Sequence, residues 1–201
     1  METKRFNTSD IIEVKKMLKA GKVIAFPTDT VYGLGVIYNN KEALERLKGA
    51  KKRPEIKPIP MMVKNLKQLE QVVKINGTIE KLYNSLMPGA LTIICKRNDN
   101  LAAFNANGLD TIAIRIPDDE FVISLLDEPM LVSSANLSGN PAHKNGEEVL
   151  ADLDGRIDGI VMGEAKSYQA STIVDVTGDE IKILRTGAIS ETKIREILRE
   201  E

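Results

Sequence analysis

Apolar and polar residues alternate along this chain with two different periods, and each period predicts a different element. Apolar residues spaced three and four positions apart predict helices, because such residues share one helix face. Helices are predicted at 9–20, 40–49, around 66–73, around 79–86, after a cap at Asp118, and after Ser190. Short apolar runs bounded by turn residues predict strands. Strands are predicted at 22–26, 59–63, 91–95, 111–116, 130–132, 160–162, 172–176 and 181–184.

The order of these elements predicts a mixed α/β fold. Helices separate the early strands, which favours parallel crossovers, whereas the last strands follow one another closely, which favours antiparallel pairing. The chain has 201 residues, a length that suits one large domain. We therefore expect a single domain over 1–201, with its core at about 10–190, no additional C-terminal domain, and a mixed twisted sheet flanked by helices.

Composition excludes several classes of protein. The single cysteine, Cys95, rules out an intrachain disulfide and a cysteine-based zinc site. The first ten residues contain no apolar segment of the kind a secretory signal needs, and no apolar run approaches the roughly 18 residues of a membrane-spanning helix. A cytoplasmic protein with no membrane association is expected. The net charge of −1 argues against a dedicated nucleic-acid binder, because such proteins carry a basic excess.

Two clusters of polar residues follow apolar strands, at the positions where an open α/β sheet binds its ligands. The segment 27–35, PTDTVYGLG, combines two hydroxyls, a carboxylate and two glycines, and is either a ligand-binding loop or a tight turn. The segment 131–139 runs from a buried strand into Ser134 and Asn136. These two side chains could orient phosphate or ribose groups, or could cap a helix or form an Asx turn.

Cations form the other candidate features. Pro54 biases Arg53 toward an extended conformation, so Lys51 and Arg53 are expected to point the same way and could grip a polyphosphate. A solvated run of charge is the alternative. On the strand at 111–116, Thr111, Ala113 and Arg115 share one face, so Arg115 needs either a buried acid or a substrate carboxylate as partner.

A last pair of polar groups lies where two late strands begin and end. Ser171 opens one strand and Arg185 closes the next, which is equally compatible with a binding site and with an ordinary hairpin.

Several mechanisms are disfavoured by the absence of their motifs. There is no P-loop motif, and Gly33-x-Gly35 lacks the third glycine of a dinucleotide fingerprint. The single histidine, His143, lies in a polar loop with no obvious partner, so a Ser-His-Asp triad is poorly supported. No acid or histidine cluster has metal-ligand spacing. The remaining residue types position substrates and stabilise charge rather than form a covalent intermediate.

Seven segments occur in an order and approximate spacing that resembles the YrdC/TsaC family, the threonylcarbamoyl-AMP synthases. The segments are PTDTVYGLG at 27–35, K-x-R-P at 51–54, PGALT at 88–92, LDTIAIRIP at 109–117, SSANLSG at 133–139, STIVDV at 171–176 and LRTG at 184–187. Each segment alone is modest evidence. The ordered set, which covers roughly residues 10 to 190, is specific.

The resemblance implies a YrdC-like fold around a basic cavity and a defined reaction. L-Threonine would take up bicarbonate to form a carbamate, and the carbamate oxygen would attack the α-phosphate of ATP and expel pyrophosphate. Mg²⁺ would accompany ATP, with no metal site of the protein's own. A partner enzyme of the TsaD type would transfer the threonylcarbamoyl group to tRNA, and weak tRNA binding by this chain is possible.

The resemblance also implies roles for individual residues. Those implied at the ATP site are Lys51, Arg53, Thr111, Asn136 and Arg185, with Lys144 as a possible phosphate contact. Those implied at the threonine site are Thr28, Arg115, Ser134 and Ser171, where Arg115 would hold the carboxylate. The residues expected to act most directly on the reaction are Lys51, Arg53, Ser134 and Asn136.

The chain departs from the family pattern at two places. The stretch after K-x-R-P often reads P-L-I-V-H in the family, whereas 58–62 read PIPMM, and Met62 receives no role. The stretch after SSANLSG often reads P-S-P-T, whereas 141–144 read PAHK, so that Lys144 replaces a hydroxyl.

Two other functions remain open at this point. One is a carbamoyl-adenylate-forming domain of the kind found in hydrogenase-maturation proteins, which normally belong to longer chains with zinc fingers. The other is a non-catalytic module that binds structured RNA, a function that the net charge of −1 weakens.

Overall fold

A computed structural model describes residues 2–54, 56–167 and 169–199, and these residues form an α/β structure. The strands are β1 (Lys4–Phe6), β2 (Ile24–Phe26), β3 (Gly33–Ile37), β4 (Met61–Met62), β5 (Leu91–Lys96), β6 (Thr111–Arg115), β7 (Met130–Ser134), β8 (Gly159–Val161), β9 (Thr172–Asp175) and β10 (Lys182–Arg185). The helices are α1 (Ile11–Lys19), α2 (Lys41–Ala50), α3 (Leu66–Val72), α4 (Gly77–Leu86), α5 (Glu120–Leu125), α6 (Gly146–Leu153) and α7 (Glu191–Arg199).

The ten strands form one mixed sheet in the order β1-β8-β2-β3-β7-β4-β6-β5-β9-β10. Four neighbouring pairs are parallel, namely β1–β8, β8–β2, β4–β6 and β5–β9, and the others are antiparallel. The predicted mixed sheet flanked by helices is therefore confirmed, as is the antiparallel pairing of the last two strands. The expected parallel crossover after β2 is wrong. Only 27–32 separate β2 from β3, which is too short for a crossover, and the two strands form an antiparallel pair.

Three elements escape the periodicity. Strand β1 carries Lys4 and Arg5, which are exposed at the edge of the sheet. Strand β3 contains two glycines and looks like a loop in sequence. Helix α6 begins with Gly146 rather than with a strong helix former. The cap predicted at Asp118 is also wrong by one residue, because the side chain of Asp119 accepts the hydrogen bond from the first turn of α5.

The two faces of the sheet are covered unequally. Helices α1 and α5 pack together on one face, where they bury side chains against Ile24, Phe26 and Val161. The other five helices contribute buried residues to the opposite face. Successive strand residues point to opposite faces, and the central strands are largely apolar at both sets of positions. Helices therefore pack on both faces of the sheet. Two helices cannot cover a ten-stranded sheet, and part of the first face remains open.

Glycine at position 35 is required by the packing of the first face. A Cβ atom there would lie 2.9 Å from the ring of Phe26 and 2.8 Å from the end of Met130. Those distances are too short for carbon atoms, so any side chain would displace the core beneath α1. None of the helices in the described part of the chain has the length and apolarity needed to cross a bilayer.

Candidate functional site

A cavity of about 370 Å³ occupies the open part of the sheet face that α1 and α5 leave uncovered. Its floor is made of alternate residues of the central strands, which share one face because the strand period is two. These floor residues are Met62, Thr92, Ile94, Ala113, Arg115, Val132, Ser134 and Ile173. Loops at the ends of the strands add Thr28, Thr30, Arg53, Ala142, Ser171 and Arg185. The cavity therefore combines an apolar floor with hydroxyls and three arginines.

Arg115 lies at the end of β6 and points into the cavity, as the alternation along 111–116 predicts. Its side chain is 6% exposed, and Nη2 donates to Oδ2 of Asp29 at 2.6 Å. Nε donates to the carbonyl of Gly89 at 3.1 Å, and Nη1 donates to the hydroxyl of Thr30. Burial lowers the pKa of Arg115, and the Asp29 carboxylate opposes that shift.

The buried acid that Arg115 requires is thus present, and the guanidinium retains donors for a ligand. Three of its five N–H groups are used by Asp29, Thr30 and Gly89, which leaves two. Oδ1 of Asp29 is buried without a hydrogen-bond partner among the described residues. Because Asp29 balances the charge of Arg115, the unbalanced positive charge of the cavity lining comes from Arg53 and Arg185.

The hydroxyl of Thr28 is fully used in the turn that follows β2. It donates to the carbonyl of Val31 at 2.7 Å and accepts the backbone N–H of Thr30 at 3.1 Å. It also lies 3.2 Å from the hydroxyl of Thr30, which must be the donor because Thr28 has a single hydrogen. The turn therefore leaves Thr28 no hydroxyl hydrogen for a ligand, while Thr30 supports Arg115.

Thr92 and Ser171 form a buried pair of hydroxyls beside Arg115. Thr92 lies opposite Arg115 in the β5–β6 ladder, and its Oγ1 is 2.7 Å from Oγ of Ser171. Arg185 holds Ser171 by donating to its carbonyl at 2.8 and 3.1 Å and to its hydroxyl at 3.2 Å. The pair has two hydroxyl hydrogens and uses one between its members. The second has no acceptor among the described residues and can donate into the cavity.

Lys51 does not lie on an extended stretch beside Arg53, and that expectation is wrong. Lys51 is the C-terminal cap of α2 with a helical backbone, and Lys52 has a φ of +50°. The side chain of Lys51 is 1% exposed, and its ammonium donates to the carbonyls of Ser134 and Asn136. Burial, together with the nearby charge of Arg53, lowers the pKa of Lys51 to about 7, and Asp152 opposes this shift. A phosphate contact by Lys51 stays a prediction.

Arg53 lies at the rim of the cavity, where it folds the following segment back on itself. Nε donates to the carbonyl of Lys57 at 3.1 Å, and Nη2 donates to that of Pro58 at 2.8 Å. Three N–H groups of the guanidinium remain. Arg53 can therefore contact an anion in the cavity without giving up either bond.

Ser134, the last residue of β7, lines the cavity, and the segment that follows it buries Asn136 outside the lining. Nδ2 of Asn136 donates to the carbonyls of Leu137 and Asn140, both at 2.8 Å. Its Oδ1 is buried and has no partner among the residues that the structure describes. Asn136 therefore shapes the backbone of this segment, and direct contact with a nucleotide stays a prediction.

Thr111 and Lys144, like Lys51 and Asn136, are predicted ATP-site residues that lie outside the cavity lining. Thr111 shares the face of Ala113 and Arg115 but lies at the opposite end of β6. Lys144 is exposed, with its backbone N–H on Glu148 at 2.8 Å. The statement that His143 has no obvious partner is wrong, because its Nε2 lies 2.8 Å from Oδ2 of Asp152. His143 serves the structure of the loop, and the triad remains unsupported.

Sequence reasoning missed Thr92 and gave no partner for Arg115. Thr92 had a usable signal, since it is a lone hydroxyl residue in the apolar strand LTIIC and shares a face with Ile94. Asp29 was noted only as a loop carboxylate. Among the described residues, no group of three or more histidine, cysteine, aspartate or glutamate side chains is arranged to hold a metal ion.

Comparison with known proteins identifies the family of this chain. The model of the Sua5, YciO and YrdC proteins, described as "Telomere recombination", matches residues 16–187. The chain belongs to this family. A Bacillus subtilis relative, named threonylcarbamoyl-AMP synthase, is 37% identical over 96% of the chain. A Pyrococcus abyssi relative of the same name is 33% identical over 91% of the chain.

Solved structures of other proteins share the fold. The structure of P. abyssi Sua5 complexed with L-threonine superposes with a TM-score of 0.93 at 30% identity and covers 100% of this chain. Full-length HypF in its phosphate- and nucleotide-bound form superposes with a TM-score of 0.78 at 25% identity and covers 89% of this chain. The chain spans 57% and 55% of the two synthase relatives, 62% of the Sua5 chain and 29% of HypF.

Proposed function

We propose that this protein synthesises L-threonylcarbamoyl-AMP and pyrophosphate from L-threonine, bicarbonate and ATP. The observation that carries this proposal is the cavity itself. It places a guanidinium with free donors and a spare hydroxyl hydrogen on one side, and two further arginines at its edge. Relatives named threonylcarbamoyl-AMP synthase and a Sua5 structure that holds L-threonine support the same assignment.

The threonine end of the reaction fits the group around Arg115. The two free N–H groups of Arg115 would hold the α-carboxylate, and the Thr92–Ser171 pair would donate one hydrogen to a substrate oxygen. The apolar floor, including Ile94 and Val132, excludes water from the amine. There the amine of threonine attacks the carbon of bicarbonate, which gives a carbamate and releases water.

The ATP end requires stabilisation of negative charge. ATP enters as its Mg²⁺ complex, and the carbamate oxygen attacks the α-phosphate while pyrophosphate leaves. Arg53 and Arg185 would pair with the phosphates, since each keeps unused donors after its bonds to the protein. Positioned cations and hydrogen-bond donors provide most of the catalysis in such transfers, and no protein nucleophile is needed. The reaction is an adenylyl transfer, so the enzyme would be a nucleotidyltransferase.

A second candidate reaction follows from the superposition on nucleotide-bound HypF. It is formation of a carbamoyl adenylate, as the sequence comparison left open. The two reactions differ in the source of the carbamoyl carbon, which is threonine carbamate in one and carbamoyl phosphate in the other. Replacing threonine and bicarbonate by carbamoyl phosphate therefore distinguishes them. The two free N–H groups of Arg115 would fit the carboxylate of threonine and equally the phosphate of carbamoyl phosphate, so the assay decides between the two reactions.

The test is an assay of protein, ATP, Mg²⁺ and bicarbonate with each amino acid in turn, followed by detection of pyrophosphate and of acylated AMP. We expect both products with L-threonine, and a loss of activity in bicarbonate-depleted buffer. Products with carbamoyl phosphate alone would support the second candidate. Equal activity with and without bicarbonate would exclude the proposed reaction.

Thr92→Val tests the hydroxyl pair at nearly constant volume. Removing the hydroxyl leaves Ser171 to hydrogen-bond the ligand alone, so the KM for threonine should rise roughly five- to tenfold, the equivalent of about 1 kcal/mol. The KM for ATP and the thermal stability should change little. Thr92→Ser keeps the hydroxyl and should retain most of the affinity. A loss in Thr92→Ser with none in Thr92→Val would show that the methyl group, not the hydrogen bond, matters.

The wider role follows from the proposed product. Threonylcarbamoyl-AMP would be consumed by a TsaD-type enzyme that modifies tRNA, and weak contact of this chain with tRNA is part of the same proposal. A cytoplasmic location agrees with the use of ATP and tRNA. A TsaD-type enzyme and tRNA can be added to the purified acylated AMP. Transfer of the threonylcarbamoyl group to the tRNA would establish this step.

A further inference from the structure

One wall of the cavity is an irregular loop, residues 134–143, which we call the wall loop. It leaves β7 at Ser134, whose side chain lines the cavity, and returns to the lining at Ala142. An irregular backbone in a half-buried place must find partners for its N–H and C=O groups outside a sheet or helix. The identity of those partners decides how firmly the wall is held.

Two side chains of opposite charge hold the wall loop from outside it. The ammonium of Lys51 donates to the carbonyls of Ser134 and Asn136, while the carboxylate of Asp152 accepts the backbone N–H of Leu137 at 3.1 Å. The backbone N–H of Ser138 donates to the carbonyl of Lys51 at 2.8 Å. The cation thus binds two acceptors of the loop, and the anion binds a donor from Leu137, the residue that follows them.

Asp152 lies where a helix alone would not favour a carboxylate. It is in the last turn of α6, at the negative end of the helix dipole, and its side chain is 18% exposed. Hydrogen bonds from the wall loop offset this unfavourable position of the carboxylate. Besides Leu137, Oδ2 faces Nε2 of His143 at 2.8 Å and Nδ2 of Asn140 at 3.4 Å. These contacts lower the pKa of Asp152, with that to His143 contributing most.

We propose that Asp152 is a positioning residue, which fixes the wall loop through three contacts and places a carboxylate beside the loop residues that bind the ammonium of Lys51. The activity part of this inference rests on the proposed function, whereas the charge part does not. The charged and titratable groups near the pair, among the described residues, are Arg53 near Lys51, and His143 next to Asp152, with Glu148 at 3.9 Å from Nδ1 of His143.

The variant that tests this is Asp152→Asn, compared with Asp154→Asn as a matched control. Asp154 lies at the end of the same helix, and its carboxylate accepts only the adjacent N–H of Gly155 at 2.9 Å among the contacts described. An asparagine at 152 can still accept from Leu137 but carries no charge. We expect kcat/KM for the synthase reaction to fall about tenfold or more, as displaced binding groups commonly cause, while Asp154→Asn behaves as wild type.

A second measurement needs no substrate. Lys51 can be titrated by NMR of its side chain, with the signal identified by its loss in Lys51→Met. In wild type and Asp154→Asn the pKa should be about 7, and in Asp152→Asn it should be lower. Amide exchange of Leu137 and Ser138 should also become faster in Asp152→Asn alone.

These two readouts separate the possible failures. If the wild-type protein makes no threonylcarbamoyl-AMP but the Lys51 pKa falls in Asp152→Asn, the proposed function is wrong and the role of Asp152 stands. If the protein is active and the Lys51 pKa and amide exchange are the same in all three proteins, the role of Asp152 is wrong. Melting temperatures identify a variant that is merely unfolded, and Asp152→Glu, which keeps the charge, should then recover the Lys51 pKa.

Discussion

Replacing Arg115 with lysine is expected to raise the KM for threonine by roughly thirtyfold to several thousandfold, with a much smaller effect on ATP. A lysine cannot reproduce the planar fork that spans Asp29, Thr30 and a ligand carboxylate at once. Loss of a buried, hydrogen-bonded charge pair costs about 2–5 kcal/mol, which corresponds to that range of affinity. Separate titrations of the variant with threonine and with ATP make the measurement.

The salt bridge to Asp29 provides the control for this prediction. Asp29→Asn keeps Arg115 and its cavity donors but removes the balancing carboxylate, so threonine binding should survive. A structural role alone would make both variants unstable to a similar degree, with parallel drops in melting temperature. Collapse of ATP affinity in Arg115→Lys, with threonine affinity unchanged, would instead place Arg115 at the nucleotide.

Replacing Lys51 with methionine is expected to lower pyrophosphate release by about a hundredfold or more. The variant loses the ammonium that holds two carbonyls of the wall loop, and with it a positive charge close to the proposed phosphate site. Preorganised charge of this kind is typically worth several kcal/mol in a transition state. Lys51→Arg keeps the charge but is too large for the same buried position, so it should recover only part of the activity.

The same substitution should change how stability depends on pH. The folded protein releases the Lys51 proton at about pH 7, whereas the unfolded chain keeps it to about 10.5. Between these values the unfolded state binds more protons, so this group makes the folded state more stable as pH rises. Below pH 7 the cost of burying the charge is present in full. Chemical denaturation between pH 6 and 9 should show this rise in wild type and not in Lys51→Met.

Activity and stability thus respond to pH in opposite directions through one side chain. The charged fraction of Lys51 falls above pH 7, and synthesis should fall with it, although the protein becomes harder to unfold. A pH profile of kcat that lacks this descending limb in wild type would contradict the assignment. So would a limb that persists unchanged in the residual activity of Lys51→Met.

Local patterns in the sequence predict those features that depend on near neighbours. The face of Arg115 follows from strand alternation, and the structure confirms it. The extended placement of Lys51 failed because proline restricts only the residue before it, Arg53, while α2 continues to Ala50 and keeps Lys51 helical. Helix α6 had a local signal that was overlooked, since Asn145 caps it and Glu148 follows three residues later.

Partners that are distant in sequence could not be predicted in this way. Asp29 and Arg115 are 86 positions apart, and Thr92 and Ser171 are 79 positions apart. Each pair meets only because the sheet order brings their strands or strand ends together. Electrostatic roles depend on these meetings, so the sequence identifies chemically capable residues but not which of them neutralise one another.

The order of strands in the sheet has a consequence for the synthesis of the protein. Residues that line the cavity come from Thr28 to Arg185 along the chain. Its Ser171 side forms only when β9 pairs in parallel with β5, a strand that is synthesised some eighty residues before β9. Pairing over so long a separation is slow, because the intervening chain must be ordered first. A nascent chain that has folded its first six strands therefore still lacks the site. Its apolar floor stays exposed to chaperones until the last hairpin arrives.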